Sequence, residues 1–257
     1  MNFIAAGLSD VGLQRDHNED SYCILSEHRL FVVADGMGGH RAGDVASRTA
    51  IAEMTAFFEA SGRDSDGAGW IPPEDRRLTP EQNRLVSAVK RANQRIFQAS
   101  IRNRSVQGMG TTVVGALFER EDRKIHIAHV GDSRAYRIRA GDITQLTRDH
   151  SLLNDYLLVM PNLSEAQRQR LPSNVITRAL GMQDGVAVDL HFEKVEPGDV
   201  YVLCSDGLNG MVSDDRILAL VNSAGSDVEL TARALISQAN QNGGEDNITV
   251  VVIRITE

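Results

Sequence analysis

The sequence predicts an α+β fold in which two antiparallel sheets are covered on their outer faces by pairs of helices. Three observations predict it. About ten strand-like runs are joined mostly by short turns, helical segments fall in adjacent pairs rather than alternating with strands, and carboxylates recur where strand-like runs end.

The first strand-like runs are Ile4 to Leu8, Ser21 to Leu25 and Leu30 to Ala34, the last two joined by the polar Ser26-Glu27-His28-Arg29 as a hairpin. Helical spacing follows from Ala42 to about Ala60, with Ala50, Met54, Phe57 and Phe58 on the apolar side. The stretch 61–78 holds glycines, Pro72-Pro73 and Trp70 and reads as a loop. Thr79-Pro80-Glu81-Gln82 is a capping box with proline at the first helical position, so a helix runs from there to about Ile101 and buries Leu85, Val89, Ala92 and Ile96. Strands resume at Thr111 to Phe118, Lys124 to Val130, Ala135 to Arg139 and Ile143 to Leu146, with a turn at Gly141-Asp142. Between Asp149 and Leu180 a short helix at Leu152 to Val159 and a second capped by Ser164 and Gln167 are expected. The remaining elements are strands Val186 to Lys194, Val200 to Cys204 and Ile248 to Ile255, with two helices opened at Ser213 and at Ser226-Asp227.

With 257 residues, one domain spanning 1–257 is expected, and there is ample material for a core. A formal charge of −8 without any basic block argues against nucleic acid or an anionic membrane surface as partner. Cys23 and Cys204 stand far apart and outside any Cys-x-x-Cys pair, so both are expected as buried free thiols. The apolar run Phe3 to Leu8 lacks a basic flank, and no run approaches the ~20 residues of a membrane helix. A cytoplasmic monomer is the expectation.

The functional signal centres on Phe31-Val32-Val33-Ala34-Asp35-Gly36-Met37-Gly38-Gly39-His40, a buried-strand pattern that stops at a carboxylate followed by glycines. Asp-Gly alone is an ordinary turn. The pattern recurs, however, at Gly131-Asp132, at Ser205-Asp206-Gly207 and at Gly244-Glu245-Asp246-Asn247, while Asn18-Glu19-Asp20 precedes a further strand-like run. Strand ends gathered at one edge make a negative pocket that is costly without a cation. The candidate ligands are carboxylates and backbone oxygens, with no thiol or histidine cluster expected beside them, and such hard donors select Mg²⁺ or Mn²⁺. Two such ions would activate a bridging water for in-line attack on phosphorus. Arg15 lies close enough in sequence to grip a phosphate, and His40 to protonate a leaving alkoxide; the competing readings are a solvated arginine and a structural histidine.

Six segments taken together, Arg15 to Asp20, Val33 to His40, Gly110-Thr111-Thr112, Gly131 to Tyr136, Ser205 to Leu208 and Gly244 to Thr249, resemble in order and spacing the motifs of the bacterial metal-dependent serine/threonine protein phosphatases of the PPM, or type-2C, family. The resemblance implies a four-layer αββα sandwich with two Mn²⁺ or Mg²⁺ ions between the sheets. By motif, Asp35 would bridge the ions, the Gly36 carbonyl would join it, Asp206 and Asp246 would hold the first ion, and Glu19 would act on the second. Asp20 would hydrogen-bond metal-held waters, Arg15 would hold the substrate phosphate, His40 would be the general acid, and Asn247 would support the site. Asp132 with Asp206 would correspond to a third, weaker ion site.

Residues 149–180 resemble the family's flap, although Val159-Met160-Pro161-Asn162 lacks the glycine usual there. The implied substrates are phosphorylated proteins, in opposition to a bacterial serine/threonine kinase. A non-catalytic binding or sensing module on the same fold is the alternative, which loss of the acids would signal. An aspartyl-phosphate mechanism needs a second acid two residues after the first, where Met37 stands. The acidic charge disfavours a metal-dependent nuclease.

Overall fold

The computed structural model describes residues 2–38, 42–61, 75–119, 121–161, 163–164, 167, 171–172 and 175–257. The predicted loop with Trp70 falls mostly outside these residues, as does most of the helix expected after Ser164. Strand β1 (Phe3–Asp10) leads into a hairpin of β2 (Asp20–Leu25) and β3 (Leu30–Met37), then into helices α1 (Ala42–Ser61) and α2 (Pro80–Arg102). Strands β4 (Gly110–Thr111), β5 (Val113–Glu119), β6 (Lys124–Val130), β7 (Arg134–Arg139) and β8 (Asp142–Gln145) follow. After α3 (Leu152–Val159) come β9 (Asp189–Lys194), β10 (Val200–Cys204), α4 (Asp206–Asn209), α5 (Asp214–Ala224), α6 (Val228–Gln241) and β11 (Ile248–Ile255).

The strands pair into two antiparallel sheets, β1-β11-β10-β7-β8 and β2-β3-β5-β6-β9, with β4 added beside β3. Side chains alternate across each strand, and this alternation divides the core into three layers. Leu30, Val32 and Ala34 of β3 pack against Met54, Phe58, Leu85 and Ile96 of α1 and α2. On the opposite sheet, Val202, Val250 and Val252 pack against Leu235 and Ile236 of α6 and Ile217 of α5. Between the sheets, Phe31, Phe118 and Tyr201 meet edge to face, with ring centroids 5.7 Å apart in both contacts. Burying each such aromatic contributes about 1.5–3 kcal/mol. The layers are therefore helix, sheet, sheet, helix, as the sequence predicts.

Local signals account for most elements. The Thr79 hydroxyl accepts from Gln82 N at 3.2 Å, and Gln82 Oε1 accepts from Thr79 N at 3.0 Å, so the capping box closes as expected. Asp227 caps α6 by accepting from Leu230 N at 2.9 Å.

Three expectations need correction. The β7–β8 turn is Ala140-Gly141, one residue earlier than predicted, because both residues adopt positive φ (51° and 90°) as a tight hairpin turn with the sheet's twist requires. Strand β3 does not stop at Asp35 but continues to Met37, because Gly36 and Met37 pair with Thr111 and Gly110. Cys204 is buried and free as expected, whereas Cys23 is free but only partly buried.

Candidate active site

The register of the sheets brings the acidic segments to one edge. Asp20 and Asp35 are direct partners across the β2–β3 pair. Asp132 follows the end of β6, Asp206 opens α4 directly after β10, and Asp246 stands just before β11. The backbone around Asp35 is pinned: its carbonyl accepts from Thr112 N and from Thr111 Oγ1, both at 2.8 Å, and its own N–H donates to Thr112 Oγ1 at 3.3 Å. The next residue, Gly36, donates its N–H to the Glu19 carbonyl at 3.1 Å. A Cβ on Gly36 would stand 2.2 Å from Gly43 O and 2.5 Å from Glu19 O, so only glycine lets β3, the Glu19 loop and the start of α1 come this close. The Glu19 carboxylate lies against the same first turn of α1, its Oε2 2.6 Å from where a Cβ on Gly43 would be.

The carboxylates perturb one another strongly. Burial pushes the Asp35 carboxyl well above the usual range, and repulsion from Asp20, Asp206, Asp132 and Asp246 pushes it further. Asp20 is pushed up to about 7 by burial first, then by Asp206 and Asp246, against the lowering effect of its hydrogen bonds. Asp132 is likewise pushed up to about 7, by burial and then by Asp206 and Asp149. Asp206 is raised by burial and by Asp246, although a hydrogen bond with Asp35 opposes the shift. Asp20 Oδ1 and Asp132 Oδ1 are buried and accept no hydrogen bond. Such orphaned carboxylate oxygens are expensive in a dry pocket. Their chemistry, hard anionic oxygen in a cluster of like charges, fits divalent Mg²⁺ or Mn²⁺.

Around this cluster stand the residues that hold it. Arg15 Nη2 donates to Asp246 Oδ2 at 2.7 Å from a half-exposed position at the rim. Asn247 is a hub: its Oδ1 accepts from Glu19 N at 2.8 Å, and its Nδ2 donates to the carbonyls of Val11 and His17 at 2.9 Å each. It fastens the loop bearing Arg15 and Glu19 to the Asp246 loop, a supporting part like the one the sequence suggests. Ser205 Oγ donates to Asp20 Oδ2 at 2.7 Å, a contact that the motif around Asp206 contains but does not announce. Arg134 meets Asp149 through Nε at 2.9 Å and Nη2 at 2.7 Å, binding the start of the 149–180 segment to β7.

The structure thus brings together Asp20, Asp35, Asp132, Asp206 and Asp246, with Glu19 and Gly36 adjoining and Arg15 at the edge. His40 lies outside the described residues. The expectation that no histidine cluster adjoins the acids is corrected: His129, His150 and Asp189 bring ligand-type atoms within 4.8 Å of one another, and the His150 ring touches Gly131, next to Asp132. No local pattern flags this group, because its members come from β6, β9 and the irregular stretch after Asp149.

The family model of protein phosphatase 2C matches residues 13–241. The phosphatase PhpP of Streptococcus pneumoniae is 34% identical over 259 residues, covering 97% of this chain and 96% of its own. The chain belongs to the protein phosphatase 2C family, the serine/threonine protein phosphatases. Solved structures of this family superimpose closely on it. Serine/threonine phosphatase Stp1 from Staphylococcus aureus is 32% identical, with a TM-score of 0.85 over 100% of this chain and 96% of that one. The catalytic domain of the phosphatase PstP, solved with two manganese ions, is 34% identical, with a TM-score of 0.81 over 99% of both chains. This family member therefore carries its acids on the two-sheet scaffold of its relatives.

Proposed function

We propose that this protein phosphatase 2C hydrolyses phosphoserine and phosphothreonine in protein substrates at the carboxylate cluster, and that the whole chain forms one catalytic unit. The observation that carries this reading is the convergence of five carboxylates, four of them with raised affinity for protons, on one pocket at the edge of both sheets. Asp35 and the Gly36 carbonyl would serve a Mn²⁺ or Mg²⁺ pair, with Asp35 shared, Asp206 and Asp246 holding the first ion and Glu19 acting on the second. Asp132 with Asp206 would hold a third, weaker ion. When bound, the ions supply Lewis acidity and activate water for direct attack on phosphorus, without a covalent phosphoenzyme.

The chain's own groups do the rest. Arg15 engages Asp246 through one guanidinium nitrogen, and its half-exposed fork has further N–H donors for the oxygens of an incoming phosphate. Those donors orient the phosphoryl group and stabilise the charge that spreads over it as the bond to the leaving oxygen lengthens. Asp20 is held by Ser205 through one oxygen while its other oxygen is buried without a hydrogen-bond partner, which leaves it an acceptor for water. The leaving serine or threonine alkoxide needs a proton, and His40 is the residue assigned to give it. The substrates would be phosphoproteins, including targets of a serine/threonine kinase, met by a cytoplasmic monomer. No helix of the described residues is long and apolar enough to cross a membrane.

The deciding experiment is phosphate release from a phosphothreonine peptide, by protein stripped with EDTA and then supplied with Mn²⁺ or Mg²⁺. Activity lost on stripping and regained with metal is the expected result. Folded protein inactive with either ion would instead make the chain a binding module.

A further inference from the structure

His150 grips Gly131 at two points. Gly131 N donates to His150 Nδ1 at 2.9 Å, and His150 N donates to Gly131 O at 2.9 Å. A peptide N–H can only donate, so Nδ1 is an acceptor, the ring is neutral and its proton is on Nε2. Nε2 lies 3.3 Å from Asp189 Oδ2, and Asp189 Oδ1 is taken by Arg178, which also donates to the Ala187 carbonyl. The backbone of His150 is held in turn by the segment that returns past it: Thr177 N donates to His150 O at 2.9 Å, and Ser151 pairs with Ile176.

The other side of Gly131 is closed. Its φ is +110°, and a Cβ there would stand 2.5 Å from the Thr112 Cβ. Thr112 carries the Asp35 carbonyl on its N–H and bonds Ser133 Oγ at 2.6 Å. The Gly131-Asp132-Ser133 corner is therefore wedged between Thr112, which holds Asp35, and His150, which belongs to the 149–180 segment.

A metal site at His129, His150 and Asp189 does not fit these facts. The two imidazoles stack, with centroids 4.8 Å and planes 10° apart, so their in-plane lone pairs do not converge. The free lone pair of His150 is spent on Gly131, and the Arg178 guanidinium stands 3.1 Å from Nε2.

We propose that His150 is a positioning residue for Asp132: by holding the Gly131 peptide from both its N–H and its carbonyl, it fixes where the Asp132 carboxylate points and ties that carboxylate to the base of the 149–180 segment. The proposal rests on the reading of Asp132 and Asp206 as ligands of the weakest of three cation sites. Residues that orient ligands in this way typically change metal affinity about 10–100-fold when lost.

The test compares His150→Asn with His150→Leu. Asparagine Oδ1 is as many bonds from Cα as histidine Nδ1 and can accept from Gly131 N–H, whereas leucine has similar bulk and no acceptor. The readout is calorimetric titration of EDTA-stripped protein with Mn²⁺, with melting of the stripped protein alongside. The asparagine variant is expected to bind the weakest ion within about twofold of wild type, while the leucine variant weakens that ion about 10–100-fold and leaves the tighter pair unchanged. Wild-type affinity for the weakest ion in the leucine variant, or equal losses in both variants, overturns the proposal. If the leucine variant does not fold, the asparagine variant decides: retained binding of the weakest ion supports the role and its loss refutes it. Wild-type protein that takes up only two ions removes the Asp132 reading and this proposal together, and uptake of none removes the metal-dependent mechanism as well.

Discussion

The hydroxyl of Ser205 donates to Asp20 Oδ2 at 2.7 Å, and the two residues belong to different sheets. Asp20 opens β2, whereas Ser205 directly follows β10. The same hydroxyl accepts from Thr249 N at 2.9 Å, so one buried oxygen joins β2, β10 and β11 just where the carboxylates meet.

Replacing Ser205 with alanine leaves the Thr249 N–H and Asp20 Oδ2 without their partner in a buried setting. An orphaned buried polar group costs roughly 1–3 kcal/mol, so Ser205→Ala is expected to lower the unfolding free energy by about that amount. Urea denaturation of the metal-free protein measures it. A change under about 0.5 kcal/mol, the range of neutral surface substitutions, would mean that this bond does not hold the sheets together at the site.

Asp35→Asn separates catalysis from stability. Asp35 is the acid whose charge is opposed by burial and by all four of the others. Without metal, the neutral amide relieves that repulsion, so the stripped variant is expected to melt above stripped wild type. Binding stabilises in proportion to affinity, so added Mn²⁺ should raise the wild-type melting temperature more than that of the variant. Phosphate release from a phosphothreonine peptide should fall to background. A variant that turns over near the wild-type rate contradicts the assignment of Asp35 to the cation pair.

Much of this arrangement is legible in the chain before any coordinates, for physical reasons that differ by element. The capping box at Thr79 and Gln82 closes over three residues, so its signal is complete in the local sequence. The acids are legible because, although one Asp-Gly after a strand is an ordinary turn, the repetition of a carboxylate after several buried-strand patterns marks a shared edge. The extension of β3 to Met37 is not, because its partners Gly110 and Thr111 come from beyond two helices and the pairing has no local cause. His150 escapes for the same reason, since its ring matters only through Gly131, which follows β6, and Asp189, which opens β9. Short α4 follows from the turn that aims Asp206 into the pocket, and four residues leave no periodicity to read.

Arg15→Ala is expected to act on substrate binding. The Arg15 side chain is 53% exposed and its ion pair with Asp246 lies at the rim, so its removal should change stability by no more than about 1 kcal/mol. Loss of the phosphate fork should raise KM for a phosphothreonine peptide about tenfold or more, with a smaller change in kcat. Steady-state kinetics with Mn²⁺ decides the matter. A large fall in kcat at unchanged KM would assign Arg15 to transition-state stabilisation alone.

Gly36→Ala tests whether the close approach at the site is required. The added methyl would meet the Gly43 carbonyl at 2.2 Å and the Glu19 carbonyl at 2.5 Å, and both are backbone atoms with no rotamer to change. Relief therefore demands that the first turn of α1 or the Glu19 loop move away from β3. Overpacking of this kind costs about 1–3 kcal/mol and displaces the groups nearest the cluster. Gly141→Ala is the matched control: its φ of +90° also disfavours alanine, but open space surrounds it and it lies in the β7–β8 turn away from the acids. Both variants are expected to melt lower than wild type, and only Gly36→Ala to lose phosphatase activity in the protein that remains folded. Equal activity in the two variants would mean that the spacing between β3, Glu19 and α1 is slack, and that the site does not require glycine after Asp35.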